Sequence, residues 1–138
     1  KKEYFDDWKV AWFFKMSGCI SVDRSIHDDT AKGKALDVLK DGGAIGLFPE
    51  GTRNKTDKFL LPFKFGAVSF ASKTGAPIVP FAICGKYKMF SGRKYIIYGK
   101  PYKVGDDLEK ENQILMDKVR KLKIKGDKLY EIEKCRKR

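Results

Sequence analysis

The spacing of apolar positions along this chain switches between two periods, and the switching predicts helices and strands in turn. Trp8-Lys9-Val10-Ala11-Trp12-Phe13-Phe14-Lys15-Met16-Ser17 reads as a short, strongly apolar helix stopped by Gly18. Cys19 to Val22 reads as a short strand ending at Asp23-Arg24. Thr30 to Lys40 reads as a helix with Ala31, Ala35, Leu36, Val38 and Leu39 turned inward, closed by Gly42-Gly43. Ala44-Ile45-Gly46-Leu47-Phe48 is a continuous apolar run, expected to be a buried strand. After a loop from Pro49 to Pro62, Phe63 to Thr74 reads as a helix closed by Gly75. Ile78 to Ile83 and Lys94 to Tyr98 read as two further strands. From Asp106 onward Ile114, Leu115, Val119 and Leu122 recur at helical spacing, with a break expected at Gly126.

Strands alternating with helices, several of them unbroken apolar runs, predict an α/β architecture: a mostly parallel mixed sheet flanked by helices, in a single domain. In such sheets ligands meet the loops that follow strand C-termini. Two of these loops carry chemistry-bearing residues, Asp23-Arg24 and Pro49 to Arg53.

Composition narrows the choices. With 138 residues, 42% of them hydrophobic, the chain can bury a core. It has no apolar run of about 18 residues, the length that would read as a membrane span, and no signal peptide is expected. Three cysteines at 19, 84 and 135 have no CxxC spacing, so neither a metal site nor a disulfide framework is expected; reduced thiols fit best. Net charge is +12, and it is unevenly placed. Residues 53–99 hold nine basic side chains against the single acid Asp57, while residues 1–52 are close to neutral. A positive block of this kind asks for an anionic partner: nucleic acid, acidic lipid headgroups or a phosphorylated substrate.

In Phe48-Pro49-Glu50-Gly51-Thr52-Arg53, Pro49 ends the apolar run, and Gly51 lets backbone approach a ligand. Thr52 offers a hydroxyl and Arg53 a planar fork suited to phosphate. Glu50 is out of place in an anion site unless it accepts bonds from loop amides or orients Arg53. The same six residues are also compatible with an ordinary tight turn carrying exposed charges. Gly18 to Arg24 places a second Arg at the end of another expected strand, where a surface ion pair with Asp23 is the plainer reading.

Taken together the segments resemble a known family. Phe48 to Arg53 is similar to the third motif of the glycerolipid acyltransferases, and Gly18 to Arg24 to the second. Leu60-Leu61-Pro62-Phe63-Lys64-Phe65-Gly66-Ala67 resembles the segment after the third motif, Ile78-Val79-Pro80-Phe81 the fourth, and Gly99-Lys100-Pro101 a glycine–proline pair beyond it. Order and spacing agree over residues 1–105, which would be the acyltransferase domain; 106–138 would be a helical basic tail. The bacterial 1-acyl-sn-glycerol-3-phosphate acyltransferase branch is the best match.

The resemblance implies an acyltransferase-like fold and transfer of an acyl group from acyl-CoA or acyl-carrier protein to the sn-2 hydroxyl of lysophosphatidic acid, giving phosphatidic acid. It needs no cofactor and no metal beyond those co-substrates. It implies that Arg24 and Arg53 bind the glycerol phosphate, that Glu50, Gly51 and Thr52 shape that pocket, that Pro80 forms wall near the acyl donor, and that Lys1 falls where a phosphate-contacting lysine is common. Glycerol-3-phosphate sn-1 acylation is the nearest alternative. It further implies a peripheral place on an anionic membrane surface, at its cytoplasmic face.

One departure matters. The family's catalytic dyad is His-x-x-x-x-Asp, and it precedes the second motif. The single histidine here, His27, follows that motif and has Lys32 five positions on. His27 is expected to be a solvated loop residue, the dyad is expected upstream of Lys1, and this chain alone is expected to be inactive. Trp8, Trp12, Phe13 and Phe14 read either as a buried helix face or as an element dipping into lipid. Lys86 to Lys94 interleaves basic and aromatic residues and suits either a solvated loop or anionic headgroups. A nucleic-acid-binding domain is the rival class. It is not expected, for want of zinc-finger spacing, an RNP-like aromatic strand or a KH-like loop.

Overall fold

A computed structural model of the chain describes residues 6, 8–22, 29–85 and 94–136. It divides into two compact units, residues 1–46 and 47–138.

The first unit holds two helices. α1 spans Trp8–Met16 and α2 spans Asp29–Lys40. Both end in the same way. The Cys19 amide donates to the Phe14 carbonyl at 2.9 Å and the Gly18 amide to Lys15 at 3.1 Å. The Gly43 amide donates to Val38 at 2.8 Å and the Gly42 amide to Leu39 at 3.2 Å. These paired bonds satisfy last-turn carbonyls around a glycine, so the stops expected at Gly18 and Gly42-Gly43 are present. Ala31 and Ala35 are buried on α2, while Val38 is largely exposed. On α1 Ala11 is buried, and Trp8, Trp12, Phe13 and Met16 are exposed. That is not the buried aromatic face that one of the two sequence readings gave it. Cys19 to Val22, expected as a strand, has no ladder.

The second unit contains α3 (Gly66–Thr74), β1 (Phe81–Cys84), β2 (Tyr95–Tyr98) and α4 (Leu108–Arg136). β1 and β2 pair antiparallel, with Phe81 opposite Tyr98 and Cys84 opposite Tyr95. Beyond Tyr98 the pairing continues past Pro80, which has no amide to give: Gly99 donates to the Pro80 carbonyl at 2.8 Å, and Ile78 and Tyr102 exchange both backbone bonds. The expected mostly parallel sheet is therefore not confirmed. Among the described residues the sheet has two strands, and they are antiparallel. The run Ala44 to Phe48 joins no ladder and is not buried; Phe48 is 66% exposed. An apolar run of this length signals burial or pairing somewhere but does not name a partner. β1 and β2 are consecutive and need no crossover to pair.

The core lies between α3, α4 and the segment before α3. Phe63, Val68 and Leu115 are buried together, with Leu60, Ile78, Val104 and Val119 packed around them. α4 starts where the Asp107 carboxylate accepts the amides of Glu109 and Lys110, both at 3.1 Å. This satisfies two otherwise orphaned donors. The break expected at Gly126 does not occur, and α4 runs through it. Gly126 is buried against Cys84 of β1. An added Cβ there would lie 3.0 Å from both the Cys84 Cβ and the Ile97 Cδ1, and closer still to the Cys84 sulfur. The glycine is needed for close approach of helix and sheet, which outweighs its poor helix propensity.

Candidate functional site

The loop from Phe48 to Lys64 is built from short-range bonds. Gly51 donates its amide to the Phe48 carbonyl at 2.9 Å, closing a four-residue turn with Pro49 second and Glu50 third. Pro suits the second position of such a turn because its φ is already set, and Gly suits the fourth. Gly51 has φ of 68°, a left-handed conformation that favours glycine. The Phe48 ring stands edge-on to Phe81 of β1 at 5.8 Å between centroids, which moors the start of the turn to the sheet.

Further bonds fix the loop. The Lys64 amide donates to the Pro49 carbonyl at 2.8 Å. The Leu61 amide donates to Glu50 Oε2 at 2.8 Å. Asn54 folds the middle over itself. Its Oδ1 accepts from the Thr56 amide at 3.0 Å and the Thr56 hydroxyl at 2.7 Å, and its Nδ2 donates to the Lys58 carbonyl at 2.6 Å. Glu50 thus does the first of the two jobs foreseen for it: it accepts a loop amide.

Thr52 and Arg53 sit between these fixed points and are exposed. No carboxylate pairs with Arg53 among the described residues. The arrangement can present a guanidinium and a hydroxyl to an anion from a turn whose own acid is already engaged.

Sequence reasoning assigned no role to Lys64, yet its side chain lies along the same turn. A Cβ on Gly51 would meet Lys64 Cε at 3.0 Å, Cδ at 3.1 Å and Nζ at 3.4 Å. Thirteen positions separate the two residues, and no local periodicity reports such a contact. The only available signal was a lysine inside the motif-like segment Leu60 to Ala67.

Pro80 is buried. Its Cγ would stand 2.9 Å from a Cβ on Gly99, and its carbonyl holds the Gly99 amide. These are packing contacts within the second unit. Lys1, Asp23, Arg24 and His27 lie outside the described residues, as does the basic and aromatic block apart from Lys94. Among the described residues no group of acidic, histidine or cysteine side chains could hold a metal ion, and no helix is long and apolar enough to cross a membrane. The Cys84 thiol is fully buried, and burial, aided by the nearby Asp127 carboxylate, pushes its pKa up. It donates to the Lys123 carbonyl at 3.7 Å. A thiol held protonated in this way is a packing group, not a nucleophile.

The turn carries a bonded Glu50 and leads to an exposed Arg53, and the wider sequence says to which family the chain belongs. The acyltransferase family model matches residues 1–84, so the chain belongs to the acyltransferase family. Within it, the chain is 34% identical over 110 residues to a Bacillus subtilis 1-acyl-sn-glycerol-3-phosphate acyltransferase, covering 77% of this chain and 54% of that protein. It is 35% identical over 95 residues to the Saccharomyces cerevisiae protein of the same name, covering 66% of this chain and 31% of the relative. A Borreliella burgdorferi protein of that name is 40% identical over 68 residues, 49% of this chain and 27% of its own. The chain thus spans about half the length of the Bacillus relative. No solved structure matches it.

Proposed function

We propose that this chain carries the acceptor-binding part of a 1-acylglycerol-3-phosphate acyltransferase of phospholipid synthesis, with Arg53 as a ligand of the acceptor's phosphate. The observation that carries the reading is the turn Phe48 to Gly51, held by the bonds Glu50–Leu61 and Pro49–Lys64, with Thr52 and Arg53 exposed beyond it. Three relatives bearing the same activity in their names support it.

In the reaction the sn-2 hydroxyl oxygen attacks the carbonyl carbon of an acyl thioester. The C–S bond breaks, the thiol of CoA or acyl-carrier protein leaves, and the hydroxyl proton passes through a general base to the leaving sulfur. Such a base contributes about 10²–10⁴-fold. This chain's one histidine has no Asp five positions on, so the base is supplied by a His-x-x-x-x-Asp segment outside it. The role of Arg53 and its neighbours is to fix the phosphate so that the sn-2 oxygen is presented in one place. By resemblance, Arg24 and Lys1 are the other candidate phosphate ligands, and Pro80 is the candidate for the acyl-donor side. The protein works at the cytoplasmic face of an anionic membrane, which the basic residues from Arg53 onward favour, and it needs no cofactor.

The test is a comparison of melting temperatures. A short-chain 1-acylglycerol-3-phosphate should raise the melting temperature of the chain, the matching 1-acylglycerol without phosphate should not, and Arg53→Met should abolish the difference. Equal shifts with both lipids, or a salt-sensitive shift with an oligonucleotide alone, would sink the reading.

A further inference from the structure

We propose that Lys64 is a second phosphate-binding cation of this site, acting with Arg53 on the phosphate of the acceptor. The proposal rests on the reading of the Phe48 to Arg53 turn as the acceptor-phosphate element.

Three observations lead to it. First, Lys64 is tied to the turn through its backbone, since its amide donates to the Pro49 carbonyl at 2.8 Å. Second, its side chain lies back across the turn: Cδ, Cε and Nζ would stand 3.1, 3.0 and 3.4 Å from a Cβ on Gly51. The ammonium is therefore beside the peptide that leads into Thr52 and Arg53. Third, that ammonium has no ion-pair or hydrogen-bond partner among the described residues, and it is exposed. Glu50, the nearest acid in sequence to Gly51, has its Oε2 engaged by the Leu61 amide at 2.8 Å and forms no ion pair with Lys64.

Lys64 and Arg53 thus bring two unpaired cations to one loop, with Glu50 Oε2 engaged by the Leu61 amide. A phosphate carrying close to two charges is an anion that both can serve. The division of labour is chemical. The Arg fork gives two directed bonds to phosphate oxygens, and the Lys head gives a mobile point charge. Gly51 then has a second reason to be glycine beyond its φ: an added Cβ would press on Lys64, whose Cε and Cδ would have to shift to make room.

The same phosphate chemistry occurs in the acceptor and in CoA, and the experiment separates them. The intact chain is titrated with a short-chain 1-acylglycerol-3-phosphate below its micelle concentration, with the matching 1-acylglycerol, and with CoA. The proteins compared are the unchanged chain, Lys64→Met, Lys64→Arg, Gly51→Ala and Arg53→Met. Lys64→Met should weaken the acylglycerol phosphate about tenfold, the size expected for one charge-assisted bond, and leave the uncharged lipid and the melting temperature unchanged. Lys64→Arg should keep most of the affinity, and Gly51→Ala should lose it as Lys64→Met does. If the unchanged chain prefers the phosphorylated lipid and Arg53→Met loses that preference while Lys64→Met keeps it, the Lys64 assignment is wrong and the functional reading stands. Loss of CoA binding alone on Lys64→Met also overturns it. If the unchanged chain shows no preference for the phosphate, the functional reading fails and this inference with it.

Discussion

Gly126→Ala is the sharpest test of how this domain is held together. In an ordinary helix interior the change stabilises by about 1 kcal/mol, because alanine has the higher propensity. Here the new methyl would sit 3.0 Å from the Cys84 Cβ and from the Ile97 Cδ1, and nearer still to the Cys84 sulfur. Rotating the thiol away leaves the Cβ contact in place, so helix and strand must part. Overpacking of that kind costs about 1–3 kcal/mol. The contact involves a Cβ that cannot turn aside, which puts the cost at the upper end and leaves a net loss of about 2 kcal/mol. At roughly 3 °C per kcal/mol for a chain of this size, the melting temperature should fall by about 6 °C. Cys84→Ala alone removes a buried sulfur and should cost about 1 kcal/mol. In the Gly126→Ala background it should cost nothing or restore stability, a coupling of about 1 kcal/mol between touching residues. Thermal and urea melts of the four proteins measure the cycle. A Gly126→Ala protein that melts higher than the parent, or two effects that add, would show that α4 does not close on β1 at this point.

Other changes probe the loop and its support. Glu50→Ala removes the acceptor of the Leu61 amide and should cost about 1–3 kcal/mol in a urea melt, while Glu50→Gln, which keeps a carbonyl oxygen, should cost less. Asp107→Ala strips the α4 N-cap and should cost about 1 kcal/mol by the same measurement. Tyr102 has a buried hydroxyl with no hydrogen-bond partner among the described residues, and burial, then the Glu111 carboxylate, push its pKa up from 10.0 to about 12. The fold therefore favours the neutral phenol: its contribution is whole below pH 10 and is lost as pH rises through about 12. Tyr102→Phe should be neutral or stabilising at pH 8, and should remove both the latest step of the tyrosinate absorbance titration and part of the stability loss above pH 10. Asn112→Ala frees the Phe63 carbonyl from its 2.9 Å bond, and should lower both stability and acylglycerol phosphate affinity.

Local signals carried much of this fold and stopped at long-range partners. The stops at Gly18, Gly42-Gly43 and Gly75, and the start of the last helix near Asp106, follow from cap and propensity rules and are present. The helix expected from Phe63 begins instead at Gly66. The reason is visible in the bonds: the Lys64 amide goes to Pro49 and the Phe63 carbonyl to Asn112, so both groups serve loop and tertiary contacts and not a first helical turn. The parallel sheet is not confirmed among the described residues, for a different reason. Apolar runs at Cys19 and Ala44 announce themselves without naming what they pair with, whereas β1 and β2 find each other directly. Gly126 was misread because propensity alone ranks a mid-helix glycine as a break, and only the position of Cys84 reveals why it is there. Of the candidate site, the turn and the engagement of Glu50 were legible from residue chemistry. The approach of Lys64 to the turn was not, because it joins residues thirteen positions apart.

The last helix also bears on the site, although no residue of it was assigned there. Leu115 packs with Phe63 and Val68, and Asn112 holds the Phe63 carbonyl at 2.9 Å. Phe63 immediately precedes Lys64, whose amide holds Pro49. So α4 supports the strip of backbone that supports the turn, and it can do so only if it lies flat on β1, which Gly126 permits. On this account a mutation at Gly126 should reach the proposed phosphate element through Phe63 and Lys64, not through the loop's own bonds. Stability and ligand affinity should then fall together for changes on α4. For changes at Arg53 or Lys64, affinity should fall while stability holds.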